Sequence, residues 1–161
     1  MMKTLVLLAA LSCPSLVLAQ AAQIDLGGMS QNTSAPVSVD ADRLSVDQAT
    51  GVATFNGNVR VVQGDLRLAA DQVRVEYGEA QGEIRTLHAE GHVTLANADI
   101  AAEAEKAAYT IESGLIEMTG NVLLTQGQST IAGQKLTIDA AAGTGRMEGR
   151  VQTTFQPGQS R

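Results

Sequence analysis

Gly57-Asn58-Val59, Gly91-His92-Val93, Gly120-Asn121-Val122 and Gly149-Arg150-Val151 return at steps of 34, 29 and 29 residues, so the chain is built from copies of one unit. The fullest copy reads Gly57-Asn58-Val59-Arg60-Val61-Val62-Gln63-Gly64 and stands among alternating apolar and polar residues. A glycine within such a run marks a bend inside β structure, because glycine reaches backbone angles that distort a strand locally. Each step is long enough for a few short strands.

The units open alike. Ala41-Asp42-Arg43-Leu44-Ser45-Val46-Asp47 is echoed by Ala70-Asp71-Gln72-Val73-Arg74-Val75-Glu76, and both alternate with period two. The third unit runs from Ala104 through Ser113-Gly114 to Leu124, and the fourth from Gly133 through the glycines 143 and 145 to Phe155. The stretch 98–108 is rich in alanine and glutamate and has helix propensity, but its neighbours copy strand units, which assigns it to strands. Asp42 and Asp71 recur at equivalent positions, where a turn or strand-start role through bonds to their own backbone is expected.

The alternation puts one apolar set on a single face: Leu44, Val46, Phe55, Val59, Val61, Leu66, Leu68, Val73, Val75, Val93, Leu95, Tyr109, Ile111, Met118, Val122, Leu124, Leu136 and Ile138. Units with one apolar face each cannot bury it alone and must stack or roll on one another. The expected fold is all-β, two-layered or curled, with open edges at its first and last units that invite pairing with another chain. With two Phe, two Tyr and no Trp, the interior is filled by small and branched side chains. The pattern is equally compatible with a filled core and with a groove.

Ahead of the repeats, Lys3 precedes an apolar run from Leu5 to Leu11, a Ser12-Cys13-Pro14-Ser15 break, and Leu16-Val17-Leu18-Ala19. This is the pattern of a secretory signal peptide cut after Ala19. Cys13 only weakly fits a lipoprotein cleavage site. The expected organisation is a signal peptide at 1–19, a flexible leader at 20–36, one β domain at 37–157 and a disordered tail at 158–161. A chain starting at Gln20 has no cysteine, which excludes disulfides, thiol catalysis and cysteine–metal sites.

Several functions are then excluded. After Lys3 leaves, 10 basic residues stand scattered among 17 acidic ones, a formal −7, and no cluster of positive charge marks a nucleic-acid surface. His88 and His92 lie four apart, but no cysteine or well-placed carboxylate completes a metal set, and they read as surface or turn residues. The glycines from Gly143 to Gly149 lack phosphate-loop spacing. With no nucleophile–base pair and no cofactor motif, the chain reads as a non-enzyme that needs no cofactor.

The signal peptide, the Ala-Asp openings at Ala41 and Ala70, and above all 57–64 followed by 70–75 resemble the LptA (OstA-like) family of periplasmic lipopolysaccharide-transport proteins, over roughly Val37 to Pro157. The resemblance implies an open β-jellyroll, a rolled antiparallel sheet with free terminal edges, located in the periplasm. Its concave apolar interior would hold the lipid A acyl chains of lipopolysaccharide, making the apolar set above the groove lining. Acyl burial gives about 0.8 kcal/mol per methylene, so such binding needs no catalytic group. The family also implies end-to-end strand pairing as a homo-oligomer, with the periplasmic domain of an inner-membrane LptC-like component, and with that of an outer-membrane LptD-like translocon. The competing expectation is a structural β-repeat scaffold or partner-docking domain that binds no lipid.

Overall fold

The computed structural model describes residues 21–26, 34–79 and 82–155. Signal peptide and tail lie outside them. The described residues form eleven strands: β1 (Ala22–Asp25), β2 (Val37–Asp40), β3 (Arg43–Asp47), β4 (Val52–Gln63), β5 (Leu66–Tyr77), β6 (Ile84–Asn97), β7 (Ile100–Thr110), β8 (Leu115–Gln126), β9 (Ser129–Asp139), β10 (Thr144–Glu148) and β11 (Gln152–Thr154). They make one antiparallel sheet in the order β1-β10-β9-β8-β7-β6-β5-β4-β2, with β3 also on β4 and β11 also on β9. The described residues contain no helix, and the first and last strands do not close on each other.

The repeated glycine motif explains the shape. Gly57, Gly91, Gly120 and Gly149 have φ of 81°, 78°, 84° and 83°, and the residues after them, Asn58, His92, Asn121 and Arg150, have 46°, 44°, 47° and 46°. All four copies therefore make the same bend, although two of them depart from Gly-Asn-Val. Register breaks fall at this level between Asn56 and Val59, Glu90 and Val93, and Thr119 and Val122. An extra residue on one strand of each pair bends the strand and increases its twist. The bends align into a spine that folds the sheet into two leaves.

One leaf holds β2, β11 and the segments 60–63, 66–69, 94–97, 100–103, 123–126 and 129–132. The other holds β1, β3, β10 and the segments 52–56, 72–77, 84–90, 106–110, 115–119 and 135–139. The long step of 34 residues reflects a longer β5–β6 hairpin: its connection at 78–83 has six residues against four at 111–114 between β7 and β8, and its strand arms are longer too.

Each spine glycine is faced by a side chain from the neighbouring strand: Asp42, Asp71, Glu105 and Gln134, which would all lie under 3.0 Å from an added Cβ. Three of them grip the residue after the glycine, through Asn58 Nδ2 to Asp42 (2.9 Å), His92 Nδ1 to Asp71 (2.8 Å) and Asn121 Nδ2 to Glu105 (2.6 Å). This corrects the turn role expected for Asp42 and Asp71: they tie the spine across strands. Bonds to the residue's own turn are made instead by Asp47, which accepts from Ala49 and Thr50, and by Asp139, which accepts from Ala141 and Ala142.

The leader differs from expectation as well. Ala22–Asp25, read as part of a flexible stretch, forms β1 on β10, and Leu26 donates its N–H to the Gly143 carbonyl at 2.9 Å. Ile24 and Leu26 are buried in the common core. The alanine-rich stretch is strand β7, where Ala102, Ala104, Ala107 and Tyr109 face inward while Ala101, Glu103 and Glu105 face out.

Candidate functional site

Residues paired across an antiparallel sheet share a face, so the register defines rows of side chains lining the space between the leaves. Leu44, Phe55, Val73, Ala89, Ala107, Met118, Leu136 and Met147 form one row from β3 to β10. Val46, Ala53, Val75, Leu87, Tyr109, Ile116 and Ile138 form the next. Val39, Val61, Leu68, Leu95, Ala102, Leu124 and Ile131 face them from the other leaf.

The structure places Val59, Val61, Leu66, Leu68, Val73, Val75, Val93, Leu95, Tyr109, Met118, Val122, Leu124, Leu136 and Ile138 in this interior, all buried. Phe55 and Ile111 pack against its edge, Ile111 from the turn after β7. Leu44 and Val46 belong to the same rows but are 56% and 57% exposed, because β3 is a terminal strand with a partner on one side only. Sequence reasoning missed Leu87, Ile116 and Met147, which the alternation itself marks. It also missed Ala53, Ala70, Ala89, Ala102, Ala104, Ala107 and Ala140. Alanine occupies both faces of these strands, so its identity carries no inward signal.

The two ends of the interior differ. At the first end Leu44 and Val46 stand open, and among the described residues β2 and β3 each present an unpaired edge. At the last end β1 covers β10, Leu26 and Met147 are fully buried, and the edges left free among the described residues are those of β1 and β11.

Opposite the spine, the tips of the leaves are held together by polar groups. Tyr109 donates its hydroxyl to Gln63 Oε1 at 2.7 Å, and Gln63 Nε2 donates to the Ala35 carbonyl at 3.0 Å. Gln126 Nε2 donates to the Asp25 carbonyl at 3.3 Å. Burial raises the Tyr109 phenol above its usual range, so it is a neutral donor. A cleft of about 720 Å³ opens outside this contact, lined by Ala35, Val37, Gln63, Glu79, Glu83, Ile84, Arg85 and Ile111 among others.

Charge lies on the outside. Glu76 is approached by Arg74, Arg85 and His88 at 3.4–3.5 Å, Lys106 pairs with Glu90 at 3.3 Å, and Lys135 with Glu117 at 2.7 Å. The Glu117 contact raises Lys135 above its usual value. His88 and His92 address different carboxylates, Glu76 and Asp71. The arrangement is suited to holding apolar matter or packing on itself, and to pairing strands at its ends.

Residues 38–144 match the family model described as "LptA/(LptD N-terminal domain) LPS transport protein". The chain is 30% identical over 123 residues to the lipopolysaccharide export system protein LptA of Escherichia coli K12, covering 73% of this chain and 66% of that protein. It is 29% identical over 135 residues to LptA of Haemophilus influenzae, covering 77% and 78%. An uncharacterised Rhizobium meliloti protein is 28% identical over 155 residues, covering 89% and 83%. Among solved structures, LptH of Pseudomonas aeruginosa, described as the LptA homologous periplasmic component of the lipopolysaccharide transport device, superposes with a TM-score of 0.71 at 19% identity, over 79% of this chain and 99% of that one. The overall fold is thus shared with that structure, and the chain belongs to the LptA/(LptD N-terminal domain) lipopolysaccharide transport protein family.

Proposed function

We propose that the chain is a periplasmic lipopolysaccharide carrier that takes lipid A acyl chains between its leaves and passes them along end-to-end contacts. The observation that carries this reading is the set of apolar rows running without a charged side chain from the open β3 end to the β1 end. Family membership supplies the cargo class. Acyl chains bind by burial alone, at about 0.8 kcal/mol per methylene, and the acidic surface leaves the phosphorylated headgroup outside.

The free edges support the assembly part of the reading. Unpaired β2 and β3 at one end, and β1 and β11 at the other, offer backbone groups to a second copy, to an LptC-like domain of the inner membrane or to an LptD-like domain of the outer membrane. Such joints would make one continuous interior.

The tight burial of Ile116, Met118, Leu136 and Ile138 favours the other reading, a scaffold whose interior is simply a core. Lipid extraction separates the two. The chain purified from cell envelopes should carry lipopolysaccharide detectable by mass spectrometry of its organic extract; a folded, exported chain free of it would support the scaffold.

A further inference from the structure

Gln63 is the one buried polar side chain among the described residues, at 2% exposure, and Tyr109, also at 2%, holds the one buried hydroxyl. They sit on different leaves and bond each other at 2.7 Å across an otherwise apolar interior. The fold itself does not require this. A buried polar pair is stabilising only while both partners stay satisfied, and an apolar pair of the same shape is close to neutral. Their position is informative too. Gln63 lines the cleft between the leaf tips, where solvent meets the apolar rows, with Val37, Ile84 and Ile111 beside it, and Tyr109 reaches the cleft through its bond to Gln63.

An amphiphile bound with its tails along the rows and its head in the cleft has one chemically mixed region, the ester, amide or hydroxyl groups that join tail to head. That region falls at this pair. We propose that Gln63 and Tyr109 form a polar subsite for the hydrogen-bonding linkages of an acylated amphiphile, exchanging their mutual bond for bonds to the ligand as the leaf tips part. The pair then does two things: it closes the interior of the free chain, and it sets the depth to which an acyl chain enters. Gln63 offers both a donor and an acceptor, and the neutral Tyr109 hydroxyl a donor and an acceptor, which suits carbonyl and hydroxyl groups alike. Opening also frees Ala35, which Gln63 Nε2 holds at 3.0 Å, so the segment leading into β2 would loosen with it.

This rests on the carrier reading above, and two probes keep the two claims apart. Lipopolysaccharide binding to the immobilised full chain is measured by surface plasmon resonance. In a separate titration the apolar fluorophore N-phenyl-1-naphthylamine, which has no acyl linkage, reports on the rows alone. Tyr109→Phe and Gln63→Leu should each weaken lipopolysaccharide binding about threefold to tenfold, the value of one hydrogen bond, with fluorophore affinity unchanged within about twofold. Tyr109→Phe removes a single oxygen and carries the test if Gln63→Leu does not fold. Equal loss for both probes, or lipopolysaccharide affinity unaltered by Tyr109→Phe, would overturn the subsite. A wild-type chain that binds the fluorophore and not lipopolysaccharide would overturn the carrier reading, and the subsite with it.

Discussion

The two ends of the roll are made from the same repeat, yet one is open and the other sealed. At the first end the terminal strand β3 leaves Leu44 and Val46 more than half exposed, whereas at the last end β1 brings Ile24 to 8% and Leu26 to 0%. The difference comes from five residues of the leader, 22–26, which pair with β10 and the turn before it from the far end of the chain. Stacked repeats end in apolar faces that need caps. Here one cap is present among the described residues, which gives an otherwise repetitive sheet a direction.

The largest expected effect tests that asymmetry. Leu26→Ala removes a fully buried side chain and should cost about 2–4 kcal/mol in urea denaturation, while Leu44→Ala, at the open end, should cost under about 1 kcal/mol. Similar losses at both ends would erase the distinction.

The spine, common to both ends, comes next. Gly120→Ala should lose about 1–3 kcal/mol, from its φ of 84° and from the Glu105 side chain that the new Cβ would strike. Gly51, with φ of 67° and nothing within 4 Å of an added Cβ, pays only the backbone part and should lose about 1 kcal/mol. Equal midpoints for the two variants would deny the facing acids any role in the bend.

Association should also be asymmetric. Leu44→Lys places a charge on the exposed inner rim without touching the core, so thermal stability should hold within a few degrees while end-to-end association, followed by sedimentation velocity, weakens about tenfold. Unchanged association would remove the β3 end from the joint.

The smallest effect concerns the contact between the leaf tips. The Tyr109 phenol is raised by burial above its ordinary value of 10.0. Its contribution to stability is therefore complete below about pH 10 and is lost as pH rises from the unfolded value through the folded one. Lys135, raised by Glu117, works in the same direction. The melting temperature should thus fall above about pH 10, and less steeply in Tyr109→Phe; parallel profiles would show that this hydroxyl is not held between the leaves.

Much of this fold is written locally. Period-two alternation placed Val73 and Val75, Leu136 and Ile138 on the inner face, and the glycine motif marked each bend, because both are decided within a few residues. The β1 strand was not legible: Gln23-Ile24-Asp25-Leu26 alternates over too short a span to stand out from a Gln-, Gly- and Ser-rich leader, and its partner lies at Thr144–Met147. Gln63 was hidden as well, since a polar residue on an inward position is explained only by Tyr109, 46 residues away on the opposite leaf. The acids at Asp42 and Asp71 were visible as repeats, but their target, the residue after the same unit's glycine, is a property of register.

The most direct test of the carrier account places a photoreactive residue singly at Val61, Val75, Ile111 and Ile138, and at the outward-facing Arg74, and irradiates living cells. Lipopolysaccharide adducts are expected at the first four positions and not at Arg74. A folded, exported chain that gives no adduct at any of them, or gives one at Arg74 as readily as at Val75, would contradict the account.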